Sequence, residues 1–211
     1  MLERIFDLEP SIDIRRPDSY LESYPYLCAH FSDKAVVAPA DVVLGAHMVY
    51  GWMPTVLGLN VNTGPRDTLD EAARLLTAGK SRDLEKDELL VLKAIINNST
   101  VGASKLLHFV DPARYPIWDS RIYFFVHGRK RYAHQVNSVD AYLAYRRDAI
   151  ALLSHPRFSR FHTAVQAKLG YQVSGLRALE LMMFLAARDA AGRDDPPAGT
   201  LARHDASLPV A

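Results

Sequence analysis

The chain has 211 residues, 49% of them hydrophobic and 23% charged, with a formal net charge of +1. This is enough apolar material for one large domain or two small lobes, and too little net charge for a global field, so any nucleic-acid binding needs a local basic patch. The single cysteine, Cys28, excludes an intrachain disulfide and a thiolate metal cluster and fits a reducing compartment, with the cytoplasm as the expected location.

Met1 to Asp7 carries acidic residues and no long apolar run, unlike a secretory signal. Residues 1–38 read as a proline-punctuated aromatic arm, in which Tyr20, Tyr24, Tyr26 and Phe31 would line a helix of about three turns. From Pro39 to Leu57 the chain is apolar on nearly every side, which predicts a central buried helix that Pro54 kinks or ends. Pro39, Asp41, His47 and Pro54 interrupt this region too often for a membrane span. Thr68 and Glu71 have capping-box spacing and open a helix over 68–78, with Gly79 as its stop. Helices follow over 83–98 and 101–110. After the Asp111-Pro112 and Tyr115-Pro116 breaks comes another over 120–126, closed by Gly128.

Further helices are predicted over 137–153, 157–169 and 174–191, and no strand alternation persists anywhere. The expected fold class is all-α: one helical domain over 1–191, open to division into two lobes around a cleft, and a flexible tail over 192–211. That tail contains Asp194-Asp195-Pro196-Pro197 and has no apolar periodicity. There is no internal repeat and no heptad run.

The residues with the most chemical content are Lys105, on the helix before the proline-marked turn, and Asp119, at the start of the helix after it. Asp is among the best N-cap residues, so Asp119 is explained by capping alone. A carboxylate held by amide groups at a cleft would also stabilise a developing cation electrostatically. For Lys105 the commoner role is to cover apolar surface with its stem; if desolvated, its amine becomes a nucleophile able to form a Schiff base, or a donor to Asp119. His108 lies on the same helical face as Lys105 and reads first as a hydrogen-bonded core residue. Tyr50 and Trp52 could stack on a planar ligand such as an extruded base, although such residues are more often core. With His108 and Trp118 they are the candidate substrate contacts.

Arg121 and the cluster Arg129-Lys130-Arg131 are the candidate contacts to a DNA backbone, with Arg146, Arg147, Arg157 and Arg160 further on; a solvated basic loop is the alternative. No Gly-x-Gly-x-x-Gly, P-loop, Gly-x-Ser-x-Gly or His-Glu-x-x-His pattern is present, so neither a cofactor nor a metal is expected.

Arg114 to Ile122, with its aromatic-Pro-hydrophobic-x-Asp-x-x-hydrophobic pattern, resembles the catalytic-aspartate segment of the helix-hairpin-helix DNA glycosylases, which include adenine-mismatch and 8-oxoguanine glycosylases. The matched positions number about 25, and the Leu176-Arg177-Ala178-Leu179-Glu180 segment resembles the closing helix of some oxoguanine-glycosylase-fold proteins. The resemblance implies a two-lobed helical fold, extrusion of a modified or mispaired base, Asp119 as the carboxylate that supports base departure, and a lysine nucleophile in bifunctional members. The family's lysine would stand near Val101, so Lys105 lies about one turn later on the same face. The family's Leu-Pro-Gly-x-Gly turn has no counterpart in Asn97-Asn98-Ser99-Thr100-Val101-Gly102, which carries one glycine and no proline.

Two alternatives stand beside this reading. One is a non-catalytic helical module that binds nucleic acid or a protein partner, for example in bacterial defence or regulation; the other is an enzyme acting on a small nucleoside or metabolite.

Overall fold

The computed structural model describes residues 2–14, 18–53, 55–128 and 132–191, with side chains to Arg188. The architecture is all-helical, with no strand among the described residues and one isolated bridge between Leu59 and Ile96. No helix among these residues is long and apolar enough to cross a membrane.

The arm comprises α1 (Ile5–Leu8), flanked by two 3-10 turns, and α2 (Ser19–Ser32). Asp18 caps α2 by accepting from the amides of Tyr20 and Leu21. Of the expected aromatic stripe, Tyr24 and Phe31 are buried, whereas Tyr26 faces solvent and Tyr20 is half exposed. α3 (Pro39–Trp52) starts with Asp41 accepting from the Ala38 amide. It is not the central helix expected from its composition. One face is buried through Val42, Ala46 and Val49, and Leu44 on the other is exposed. Pro54 lies outside the described residues.

α4 (Leu69–Gly79) has Thr68 as its cap, accepting from the Glu71 amide. The Glu71 carboxylate does not close a capping box, because it is held by Arg66 and Arg74. Gly79 is the last residue of the helix and not a left-handed stop. A methyl group there would come within 3.2 Å of the Tyr115 hydroxyl, so its smallness makes room for that ring. α5 (Lys86–Ile95) is shorter than the 83–98 expected, since Glu88 turns back to accept from the Glu85 amide and fixes the start there.

The central element is α6 (Thr100–Val110), every residue of which is buried except Val101. It packs against α2, α3, α4 and α5. α7 (Ser120–His127) ends at Gly128, whose φ of +63° is the left-handed conformation that glycine adopts without Cβ strain. α8 (Ala133–Val136), α9 (Val139–Leu152) and α10 (Phe158–Leu169) follow. The last helix, α11 (Gly175–Ala191), lies along α7 and also meets α1, α9 and α10. The expected tail, 192–211, lies outside the described residues.

Candidate functional site: a buried charge cluster on α6, α7 and α11

The segment between α6 and α7 folds back along α6, held by two polar side chains of that helix one turn apart. Ser104 Oγ accepts from the Trp118 amide at 3.2 Å. His108 Nδ1 is 2.7 Å from the Tyr115 carbonyl, and its Nε2 is 2.9 Å from the Tyr24 hydroxyl. The pattern assigns the tautomer: Nδ1–H donates to the carbonyl and Nε2 accepts from the tyrosine. Burial, with Arg177 nearby, depresses the His108 pKa to about 3, so the ring is neutral. Because Ser104 precedes Lys105 and Trp118 precedes Asp119, the Ser104–Trp118 bond sets amine and carboxylate on adjoining strands of backbone.

Asp119 is the N-cap of α7, its Oδ1 accepting from the amides of Arg121 at 2.8 Å and Ile122 at 3.0 Å. Its Oδ2 has no hydrogen bond among the described residues. Lys105 is only 8% exposed and Asp119 9%. Burial lowers the proton affinity of the Lys105 amine, opposed by the charges of Asp119 and then Glu180, while Arg177 adds to the lowering. The amine makes no contact ion pair among the described residues and sits over the Trp52 ring, 5.4 Å from its centroid.

α11 completes the cluster with Arg177 and Glu180, one turn apart and in direct contact as a buried ion pair. The Arg177 guanidinium lies 4.4 Å from the centroid of Tyr24 and 5.8 Å from that of Trp52, so the two cations share one indole. Arg177 Nε is buried without a hydrogen-bond partner. Burial raises the Glu180 pKa to about 7; Arg177 opposes this and the Asp119 charge adds to it. Chemically, the site offers a desolvated amine, two carboxylates and one half-buried indole.

Of the other candidate contacts, Tyr50, His108 and Trp118 are buried. The Trp118 indole donates to the Val136 carbonyl and its ring packs on Tyr123 and Tyr145. Trp52 is the one of the four with open surface, in T-shaped contact with Tyr20 and Phe109. The Arg121 guanidinium rests over Phe184. Arg129, Lys130 and Arg131 lie outside the described residues. Arg146 is committed to Asp83 and the Arg114 carbonyl, and Arg157 to Asp7.

The turn joining α5 to α6 is built on Asn97 and Asn98, both left-handed at φ +58° and +48°. The amides of Thr100 and Gly102 already donate to Asn137 Oδ1 and Ser99 Oγ. Lys93 and the Asn137 amide group tie the turn further. Asn137 from the α8–α9 junction and the turn's own Ser99 therefore occupy amides that could otherwise grip a phosphate. A separate crevice of about 10 Å³ between α5, α6 and α9, room for one water, includes Ser104 in its wall but none of Lys105, Asp119, Arg177 and Glu180. No group of three or more potential metal ligands occurs among the described residues.

Sequence reasoning missed the roles of Arg177, Glu180 and Tyr24. A signal was present: opposite charges at 177 and 180 fall among Leu176, Leu179 and Met183, on what should be an apolar helix face. No family model, curated protein or solved structure matches this chain, and the reading of the site rests on its own residues.

Proposed function

We propose that this protein excises a modified or mispaired base from DNA, with Lys105 as the nucleophile and Asp119 as the carboxylate that stabilises positive charge on the sugar. The observation that carries this reading is the Lys105 amine, buried, without a contact ion pair and flanked by Asp119. Desolvation favours the uncharged amine, which is the nucleophilic form. The amine's lone pair would form the bond to C1′ as the base departs with the electrons of the glycosidic bond and takes up a proton; opening of the sugar ring then leaves a Schiff base. Asp119 suits the developing positive charge because its Oδ1 is anchored by two amides while Oδ2 is left over. Trp52, the open aromatic surface beside the amine, supplies a stacking face for an extruded base, an interaction worth about 1–3 kcal/mol.

A duplex panel carrying uracil, 8-oxoguanine, adenine opposite 8-oxoguanine and alkylated bases tests the reading. The expected result is release of one of these bases, reduced about a hundredfold in Asp119→Asn, a change that retains a good N-cap. The second reading, a non-catalytic nucleic-acid- or protein-binding module, is favoured by the internally satisfied α5–α6 turn. Binding without release from any duplex would replace the first reading with the second.

A further inference from the structure

We propose that Tyr24 is a positioning residue for Asp119: its hydroxyl holds His108 in the orientation that fixes the segment leading into the Asp119 cap, which makes the arm helix α2 part of the site. The inference rests on Asp119 being the carboxylate of the reaction but concerns a side chain that touches neither Asp119 nor a substrate.

Every link is a direct contact. The Tyr24 hydroxyl lies 2.9 Å from His108 Nε2, and His108 Nδ1 lies 2.7 Å from the Tyr115 carbonyl. From that carbonyl the chain runs to Asp119 through residues that are all buried, stiffened by Pro116. Ser104 ties the same run a second time, at the Trp118 amide, so the cap is approached from two points on one face of α6. The imidazole is fully buried, and with Nδ1–H committed to the carbonyl, the Tyr24 hydroxyl is what satisfies Nε2. A hydrogen bond received at Nε2 also polarises the ring and makes Nδ1–H the stronger donor. Without the hydroxyl a buried acceptor is left unpaired, a cost relieved by turning the ring away from the carbonyl, which frees the segment to shift. Displacements of this kind, far from the reacting atoms, are expensive for catalysis. Tyr24 is the one buried tyrosine of the three on α2, and it is held in its turn. The Arg177 guanidinium lies 4.4 Å from the centroid of its ring, Phe109 packs beside it at 6.0 Å, and the Cys28 thiol, one turn along α2, hydrogen-bonds its hydroxyl. Arg177 also reaches Trp52, so one phenol from the arm touches the supports of both the carboxylate and the open indole.

Tyr24→Phe keeps the ring under Arg177 and removes only the hydroxyl. With the full chain and no DNA, NMR follows the amide protons of Arg121 and Ile122, which report the two bonds to Asp119 Oδ1. They should move upfield in Tyr24→Phe and stay in place in Thr68→Ala, which gives up one hydrogen bond at the start of α4 instead. Unmoved protons in Tyr24→Phe, or equal movement in both variants, would overturn the inference whatever the protein does to DNA. On a duplex from which a base is released, Tyr24→Phe should lower kcat about tenfold with KM unchanged. It should add nothing to His108→Asn, because the hydroxyl acts through the imidazole; independent effects that multiply in the double variant would also overturn the inference. Absence of release from every duplex removes the glycosylase reading, and the amide protons alone then decide whether Tyr24 places Asp119. Should Tyr24→Phe fail to fold, ¹⁵N NMR of the unmutated protein takes its place: His108 must carry its proton on Nδ1, and the reverse tautomer would refute the chain of contacts.

Discussion

His108 and Glu180 are both buried and both titrate far from their ordinary values, in opposite senses with respect to stability. The His108 pKa falls from 6.5 to about 3 in the fold. Between those values the unfolded chain binds more protons, so this contribution to stability is complete above pH 6.5 and is lost as pH falls toward 3. The Glu180 pKa rises from 4.5 to about 7. Its contribution is complete below pH 4.5 and is lost as pH rises through 7. Each slope reaches about 1.4 kcal/mol per pH unit at most, and between pH 4.5 and 6.5 the two oppose each other. Urea denaturation across that window should show Glu180→Gln losing stability relative to the unmutated protein as pH falls, and His108→Asn losing it as pH rises. His108→Asn can still donate to the Tyr115 carbonyl, but it takes the ring acceptor from the Tyr24 hydroxyl and leaves it only the weak Cys28 thiol, at a cost of about 1 kcal/mol. Parallel curves for all three proteins would contradict these assignments. At this scale Asp119 was legible, because an Asp before a helix is a local signal. Arg177 and Glu180 were not legible as site residues, because the burial that gives them their properties comes from α6 and α7, distant in the chain.

Helix α6 owes its central place to close approach. A methyl group on Gly102 would lie 2.6 Å from the Tyr50 hydroxyl and 3.1 Å from Ile96, and one on Gly45 would lie 2.6 Å from Phe31. These glycines let α3 approach α6 and α2, and α6 approach the turn that follows α5. Gly102→Ala should therefore destabilise by about 1–3 kcal/mol, since overpacking outweighs the better helix propensity of alanine. Gly51, in the last turn of α3 with open space around it, gives the contrast. Gly51→Ala should be neutral or stabilising by up to about 1 kcal/mol, and thermal melts of the two variants separate packing from propensity. Helices α4, α6, α7, α9, α10 and α11 were legible to within two or three residues, through apolar spacing, the caps at Thr68 and Asp119 and the left-handed glycine at 128. Which helix is central was not. α3 is the more apolar, but α6 is the one enclosed, and its Ser104, Lys105 and His108 are tolerated there only because the returning segment and α11 supply partners or counter-charges.

Across the whole molecule, the amino-terminal arm is tied to α10 and the residues just after it. Lys168 on α10 donates to the carbonyls of Glu9 and Ile12 and pairs with the Glu9 carboxylate, while the Tyr171 hydroxyl donates to the Leu21 carbonyl. Arg4 reaches the Phe125 carbonyl at the end of α7. The arm thereby braces α7 and α10, and through α7 the Asp119 side of the charge cluster, while its own α2 carries Tyr24. Lys168→Met keeps the stem and removes these bonds. It should lower stability by about 1–3 kcal/mol and increase proteolytic nicking of residues before Ser19. Unchanged denaturation midpoint and nicking would show that the arm is held by apolar contacts alone.

The central claim is that Lys105 attacks a sugar, and a covalent adduct tests it most directly. The protein is incubated with lesion-bearing duplexes and borohydride, and the adduct is digested and its attachment site mapped. The account predicts a reduced protein–DNA conjugate on Lys105, absent from Lys105→Gln. A conjugate on another lysine, or none from any duplex, would contradict it.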